Sequence, residues 1–216
     1  MKTRKRKIGF FSGLFGLLAL VLTAAGICLA VGNRDASPVL AKQPEAARVQ
    51  VQTMLDALRD GEYTEVSSCL YGTPDLGMNA QAADPVGQLF WDALGKSFRY
   101  EMAEEFHATD SGVSLDVTIS ALDLSTATVN LRERAQKLLE QRIAEAEDPD
   151  EIYDANNEYR EDFVMNALYD AAMQALAEDA REVTWDLTLN LIYENGQWWI
   201  MPEQELLKAL SGGILS

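Results

Sequence analysis

Histidine and cysteine, the side chains that most often carry metal or nucleophilic chemistry, are scarce in this chain of 216 residues. His107 is the single histidine, and the two cysteines are Cys28 and Cys69. A closed zinc site needs four nitrogen or sulfur ligands, and two cysteines are too few for a disulfide scaffold. Cys28 lies in an apolar N-terminal run, so only Cys69 remains, and we predict it to be a small core residue at the end of a helix. The sequence therefore predicts no metal site.

The motifs of several enzyme classes are missing from the sequence. It has no glycine-rich loop that cradles a phosphate, no GxSxG nucleophile elbow and no CxxC pair. Hydrolase, kinase, nucleotide-binding and redox functions therefore have no motif to support them. We predict that the protein is not an enzyme, has no catalytic residues and uses no cofactor.

One acidic run, from Glu145 to Glu151 and on to Asp154, offers the carboxylates that calcium prefers. Its spacing differs from that of an EF-hand loop, which has glycine at the sixth position and glutamate at the twelfth. The sequence instead predicts that Asp148 caps a helix and that Glu151 returns a box-like bond to it. The other carboxylates of the run are expected to be solvated.

The stretch from Glu182 to Met201 carries the strongest structural signal. Apolar residues occupy the odd positions from Val183 to Tyr193, and polar residues occupy the even ones except at Ile192. This period of two is typical of a half-buried strand. Asn195-Gly196 suits a two-residue type I′ turn, so the chain should fold back there. The predicted cross-strand pairs are Tyr193 with Trp198, Ile192 with Trp199, and Leu191 with Ile200.

The remaining elements can be placed by the same kinds of pattern. Residues 44–59 predict a helix, Tyr63 begins a second short helix, and 72–83 predicts a loop. Asp84-Pro85 opens a third helix with a cap and a fixed φ. Strands are predicted over 98–108 and 113–121, a helical pair over 125–180 that is broken near Asp148, and a closing helix near Leu206.

These elements predict an α+β fold. A curved antiparallel sheet of about four strands should be packed by helices, with the helical pair 125–180 inserted between two β-hairpins. At this length the exported domain, residues 44–216, can bury a real core.

The N-terminal segment predicts export. Residues 1–7 are strongly basic, and residues 8–32 contain no charged side chain. Twenty-five such residues are enough to cross a bilayer as one helix, which favours a retained transmembrane anchor over a cleaved signal. Cleavage near Cys28-Leu29-Ala30 and lipid attachment at Cys28 are the alternatives. In each case residues 1–7 stay in the cytoplasm, residues 33–43 form a tether, and the bulk of the chain lies outside.

The net charge of the exported part limits the classes of partner that it can bind. Residues 1–7 hold five of the 18 basic side chains and none of the 34 acidic ones. The remainder has thirteen basic and 34 acidic side chains, which gives a net charge of −21. Such a surface repels phosphates, so we predict no binding to nucleic acid and no adhesion to anionic lipid through this part.

Two segments resemble a known family, the stretch from Met54 to Tyr63 and the stretch from Leu189 to Ile200. With the element order, they make residues 45–123 and 181–210 similar to nuclear transport factor 2-like (SnoaL-like) cone-fold domains of the membrane-anchored bacterial type. Enzymes of that family use an Asp, Tyr or His within the cone for general acid–base work. The positions that the resemblance offers for this role are Asp116, Asp186, Tyr100 and His107. The helical pair 125–180 departs from the family plan and could plug or cover a cone pocket.

Asp116 and Asp186 fall on the polar faces of their strands, where solvated carboxylates suit proton transfer poorly. The preferred function is therefore a membrane-anchored extracytoplasmic binding or scaffolding domain with a protein partner at the cell envelope. The alternatives are an exported small-ligand binder using the cone interior and an isomerase- or dehydratase-like enzyme. The predicted ligand-binding residues are Trp199, Trp185 and Tyr100. The sequence leaves the oligomeric state open.

Overall fold

The computed structural model describes residues 44–215. These residues form an α+β fold with eight helices and one four-stranded antiparallel sheet, which confirms the predicted class. The predicted basic segment, membrane span and tether lie outside the described residues. Between residues 44 and 215, no helix has both the length and the apolar character needed to cross a bilayer.

The elements follow one another in the predicted order. The helices are α1 (Pro44–Asp60), α2 (Tyr63–Cys69), α3 (Met78–Ala82), α4 (Pro85–Ser97), α5 (Ser125–Glu145), α6 (Pro149–Ile152), α7 (Glu161–Glu178) and α8 (Gln204–Leu210). The strands are β1 (Arg99–Ala108), β2 (Gly112–Asp123), β3 (Arg181–Glu194) and β4 (Gln197–Ile200). They lie in the sheet in the order β1-β2-β3-β4.

Strands β2 and β3 form the centre of the sheet, and their alternating residues give it two different faces. One face, here called the covered face, presents the odd-numbered residues of both strands, from Val113 to Ala121 and from Val183 to Tyr193. The other, here called the open face, presents the even-numbered residues from Asp116 to Ser120 and from Thr184 to Ile192, while Ser114 on the same side is only 6% exposed. The covered face of β2 is buried throughout, with Leu115 and Ile119 at 0% exposure.

Helix α1 packs over the covered face because its apolar residues recur at helical spacing. The predicted stripe is buried to 1% exposure or less and consists of Ala47, Val51, Met54, Leu55 and Leu58. The helix contacts both β1 and β4, the two outer strands of the sheet. The N-terminus of α4 is fixed as predicted, since the Asp84 side chain accepts hydrogen bonds from the backbone N–H groups of Val86 and Gly87.

The β3–β4 hairpin confirms its prediction residue by residue. Asn195 and Gly196 have φ values of 56° and 86°, as a type I′ turn requires. The three predicted cross-strand pairs are all present: Leu191 with Ile200, Ile192 with Trp199, and Tyr193 with Trp198.

An irregularity in β1 was not predicted. Met102 pairs with Val117 and Phe106 with Leu115, so β1 has extra residues between these two pairs. Arg48 of α1 donates to the carbonyls of Ala103 at 2.8 Å and Glu104 at 2.6 Å. Its guanidinium also lies 5.1 Å from the centre of the Phe106 ring. Arg48 therefore satisfies the carbonyls that the bulge removes from the sheet.

The helical pair packs on helices rather than acting as a roof for the sheet. Helix α7 packs against α5 on one side and against α4 on the other, through the buried residues Ala171, Ala172 and Ala175. Arg134 of α5 ties the two helices together, with bonds of 2.6 Å to Glu178 and 3.0 Å to Asp179. The main contacts of the helical pair, within the described residues, are therefore those between its two helices and those with α4.

Two boundaries differ from the prediction. The predicted loop 72–83 contains the short helix α3, because Met78 is only 2% exposed and anchors a turn of helix in the core. The second helix of the pair begins at Glu161 rather than near Ile152. Between α6 and α7, the Asp154 side chain accepts hydrogen bonds from the N–H groups of Asn156 and Glu158. These bonds hold a turn in place of a helix.

Candidate functional site

The open face carries a ladder of hydrogen-bonded polar side chains across β2 and β3. Thr118 donates to Asp186 at 2.8 Å, and Thr188 donates to Asp116 at 2.6 Å. Ser120 and Thr184 form a third pair at 3.0 Å. Members of each pair are direct neighbours in the strand register. The pairs orient one another, so the surface presents hydroxyls and carboxylates in fixed positions.

The two carboxylates of the ladder lie in solvent, as the sequence predicted. The side chains of His107 and Asp116 are 61% and 54% exposed, with Nε2 and Oδ2 3.8 Å apart. Such an exposed pair contributes little to stability and forms an ion pair only when the imidazole is protonated. His107 and Asp116 are thus brought together on an exposed surface, and Asp186 lies on the same face, bonded to Thr118.

An aromatic patch closes one end of the open face. Trp199 lies beside Ile192, which lies beside Gly112 in the next strand. The Tyr71 ring meets the Trp199 ring edge-on, with centroids 6.4 Å apart. The indole N–H of Trp199 donates to the carbonyl of Glu194 at 3.3 Å. Trp199, Ile192 and Tyr71 are all half-buried.

Trp185 and Tyr100 lie on the covered face, so the three predicted ligand-binding residues do not form one site. Tyr100 is opposite Ile119, and Ile119 is opposite Trp185, so all three belong to one cross-strand row. Trp199 points to the other side of the sheet because it pairs with Ile192. Only Trp199 therefore belongs to the open face.

The hydroxyl of Tyr100 is held by a carboxylate of α1. It donates to Asp56 at 2.7 Å, and Arg59 binds the same carboxylate at 3.0 Å. Burial, together with the hydrogen bond to Asp56, raises the pKa of Tyr100 to about 12. The phenol is therefore protonated at neutral pH and acts as a donor within the fold.

The space between the covered face and the helices holds large apolar side chains. Phe98, Leu115, Ile119, Leu191 and Ile200 belong to the largest fully buried ones. Trp198 joins them with its ring centre 5.2 Å from that of Tyr193. Among the described residues, the indole N–H of Trp198 is buried without a hydrogen-bond partner. A core of this kind stabilises the fold through apolar burial.

Cys69 lies where the sequence placed it, as the last residue of α2, and it is 2% exposed. Burial raises the pKa of its thiol to about 11, so the reactive thiolate is suppressed.

The acidic run forms a capped turn. Asp148 caps α6 as predicted, by accepting a hydrogen bond from the N–H of Asp150. Backbone hydrogen bonds, from Glu158 first and Asn156 next, lower the pKa of Asp154. Within residues 44–215, no group of three or more His, Cys, Asp or Glu side chains is arranged to hold a metal ion.

Sequence reasoning missed four residues that matter here: Arg48, Asp56, Arg59 and Tyr71. Asp56 and Arg59 stand three residues apart on a helix, a spacing that predicts an ion pair. Arg48 and Tyr71 carry no such signal, because each contacts a distant segment. Arg48 binds Ala103, which lies 55 residues away, and Tyr71 contacts Trp199 on β4.

Comparison of the chain with protein-family models, with characterised proteins and with solved structures gave no match. The arrangement of the open face is therefore the basis on which a function can be argued.

Proposed function

We propose that the protein is an extracytoplasmic binding or scaffolding domain, anchored in the membrane by residues 8–32, and that its open face binds a cationic segment of a protein partner at the cell envelope. The observation that carries this proposal is the contrast between a covered face filled by apolar side chains and an uncovered face with an ordered polar ladder. Nothing in the stability of the sheet requires exposed Thr–Asp pairs in register, since exposed pairs contribute little.

Charge complementarity supports a cationic partner. Asp116 and Asp186 belong to the ladder, and Glu101 is exposed beside Thr118 in the same row. Glu203 binds Asn190 at the end of the face, at 2.7 Å. Arg99, on the same face, turns its guanidinium back to the carbonyls of Lys96 and Phe98. Lysine and arginine side chains approaching this surface would meet carboxylates and hydroxyl acceptors.

Trp199 supplies an aromatic contact at the edge of this acidic surface. Half-buried tryptophans that are held by neighbours combine a large contact area with little loss of side-chain entropy, and they often dominate binding energy. Trp199 is held by Tyr71 and by its bond to the Glu194 carbonyl. Basic and apolar groups together would therefore define the partner segment.

The likeness to the cone fold has one support in the structure, because α1 contacts both outer strands, as a curved sheet would allow. A small-ligand site inside such a cone is the weaker proposal. Phe98, Leu115 and Ile119 are packed into the core beneath the helices, each at 0% exposure, so these side chains themselves fill the space around them.

The open-face proposal can be tested with octalysine as the probe and the full chain as the receptor. Calorimetry at low salt should show binding that weakens as salt is added, because the contacts are exposed ion pairs. The double variant Asp116→Asn/Asp186→Asn should lower the affinity about tenfold, since each exposed ionic contact contributes up to about 1 kcal/mol.

The matched control is the double variant Asp92→Asn/Asp150→Asn, which removes the same charge from exposed positions on α4 and α6. It should bind octalysine like the wild type. Equal weakening of both double variants would show that bulk charge alone attracts the probe, and this would contradict the proposed site.

The aromatic contribution needs a peptide in which phenylalanines are placed between lysines. Trp199→Ala should reduce its affinity and leave that of octalysine almost unchanged. Tyr169→Ala is the control, because Tyr169 is an exposed aromatic on α7, with 42% exposure, and lies outside the open face. Similar losses in the two variants would exclude Trp199 as the specific contact.

The proposed location has its own test, because the anchor lies outside the described residues. A protease added to intact cells should remove a C-terminal epitope tag while the fragment carrying residues 1–7 stays in the membrane fraction. Complete protection of the tag would contradict an extracytoplasmic domain, and a tag released without protease would support signal cleavage.

A further inference from the structure

The sheet has three strand edges without a neighbouring strand of the sheet, and two of them are covered or interrupted. The edge of β4 is covered where Leu70 pairs with Ile200, and the N–H of Tyr71 donates to the Ile200 carbonyl at 2.8 Å. The edge of β1 is interrupted by its bulge, whose carbonyls bind Arg48. Bulges and covering segments are common ways to prevent pairing with another chain.

The third edge lies on β3 and is open over residues 182–188. Strand β4 pairs with β3 only from Leu191 to Glu194, and Met201 N–H then donates to the Asn190 carbonyl at 2.9 Å. Backbone groups alternate in direction along a strand, so Glu182, Thr184, Asp186 and Thr188 point theirs to the same outer side as Asn190. Within residues 44–215 no other strand pairs with this side.

This open edge lacks several of the features that usually prevent pairing, although it carries two acidic side chains, Glu182 and Asp186. The register of β3 with β2 is continuous from residue 181 to residue 192, so there is no bulge. The segment Glu182 to Thr188 (EVTWDLT) contains no lysine and no proline. Thr184, Asp186 and Thr188 are exposed, and no further strand of the described residues pairs with the outer backbone groups of this segment.

The apolar side of the same segment is incompletely covered. Leu189 and Leu191 are 3% and 1% exposed, whereas Val183, Trp185 and Leu187 are only half-buried. A strand added at this edge would pair its backbone with β3 and cover the exposed parts of these three side chains. Both effects favour an added strand.

The residue pattern selects a second copy of the same strand. A two-fold axis at Trp185 places Thr184 opposite Asp186 of the second copy, and Glu182 opposite its Thr188. These pairs repeat the Thr–Asp bonds that β3 already makes with β2. An axis at Thr184 or at Asp186 would instead place carboxylates opposite each other, which is unfavourable. An axis at Leu187 would need the carbonyl of Asn190, which Met201 already uses.

We propose that two copies of this chain pair antiparallel through residues 182–188 of β3, with the two-fold axis at Trp185, and form one continuous sheet. The ladder then runs through the interface in the order Thr118, Asp186, then Thr184 and Ser120 of the second copy. The two open faces become one surface twice as long. This proposal does not rest on what the open face binds.

An exchange of side chains tests both the dimer and its register in the full chain, purified in mild detergent. Thr184→Asp places two aspartates opposite each other on both sides of the axis and should raise the dimer dissociation constant about tenfold in sedimentation experiments. The double variant Thr184→Asp/Asp186→Thr restores an Asp–Thr pair and should return the constant to within about threefold of the wild type.

Within one chain, both exchanges keep hydrogen-bonding partners on β2, so the fold has no reason to change. A wild-type chain that stays monomeric up to about 100 μM overturns the proposal. So does a double variant as weak as Thr184→Asp. A dimer that none of these variants affects also overturns it, because its contacts would then lie elsewhere, including residues 1–43.

Cross-linking gives an independent readout. In a Cys28→Ser background, Trp185→Cys should form a disulfide dimer on mild oxidation, since directly opposite residues at such an axis have Cα atoms about 4.5 Å apart. Ser120→Cys is the control because it lies on the inner strand β2. Equal dimer formation by both variants would show random collision and would contradict the interface.

Discussion

The two faces of the sheet are built from alternate residues of the same strands, yet they follow different physical rules. On the covered face, Ile119 is fully buried, and its neighbours in the row are Tyr100 and Trp185. On the open face, Thr118 is hydrogen-bonded to Asp186 and reaches solvent. The covered face stabilises the fold through apolar burial, whereas the open face consists of pairs whose net contribution is small. A surface that is ordered but contributes little to stability is free to serve binding.

The largest expected effect comes from a substitution on the covered face. Ile119→Ala should lower the free energy of unfolding by about 3 kcal/mol, because it leaves a cavity among close-packed side chains. Thr118→Ala, one residue away on the open face, should cost at most about 1 kcal/mol. Urea unfolding monitored by circular dichroism measures both. Equal costs would remove the distinction between the faces.

Loss of the contacts that Arg48 makes between α1 and β1 should have the next largest effect on the free energy of unfolding. Arg48→Met removes the two charged hydrogen bonds to the bulge carbonyls and should cost about 2 kcal/mol in urea unfolding. Lys137→Met is the control, since Lys137 is exposed on α5. An Arg48→Met variant as stable as this control would mean that solvent satisfies the bulge equally well.

The stability that Tyr100 contributes on the covered face should depend on pH. Tyr100→Phe should lose about 1 kcal/mol at neutral pH, because Asp56 loses its donor. The pKa of Tyr100 is raised from 10.0 to about 12, so its stabilising effect is complete below pH 10 and is lost as the pH rises towards 12. Unfolding measured across this range should show the wild type losing stability relative to Tyr100→Phe. A constant difference would contradict the raised pKa.

The smallest effect is expected within the ladder. Thr188→Val exchanges a hydroxyl bonded to Asp116 for a methyl group that suits a strand equally well, so the free energy of unfolding should change by less than about 0.5 kcal/mol. Thermal unfolding is sensitive enough to measure this. A loss above about 2 kcal/mol would show that the ladder is a structural network, and its role in binding would lose its main support.

The sequence predicted most of the fold where local pattern and tertiary contacts agree. The hairpin at Asn195-Gly196 is the best example, since turn chemistry and the alternation of side chains specify the same register. The prediction failed at residues 153–160, where the side chain of Asp154 competes with helical hydrogen bonds. The strand predicted over 98–108 is present as β1, but its bulge was not predicted, because the bulge is satisfied by Arg48, a residue more than fifty positions away.

The candidate site was predicted only in part, for a related reason. The predicted pairing of Ile192 with Trp199 already placed Trp199 on the face of Ile192, opposite the apolar row that contains Trp185. Sequence patterns do not reveal that Tyr71 holds Trp199, nor that Asp56 holds Tyr100, because each contact joins distant segments. Residue types indicated which side chains could bind, and only the register separated them into two surfaces.

The most direct test of the central claim compares two adjacent positions of β2. In a Cys28→Ser background, maleimide labelling of Asp116→Cys should be on the order of a hundredfold faster than labelling of Val117→Cys, because the second thiol reacts only when the sheet opens. The label at position 116 should also weaken octalysine binding by about tenfold while the fold is retained. Equal labelling rates, or a labelled chain that binds octalysine as tightly as the unmodified chain, would contradict the account of one covered face and one binding face.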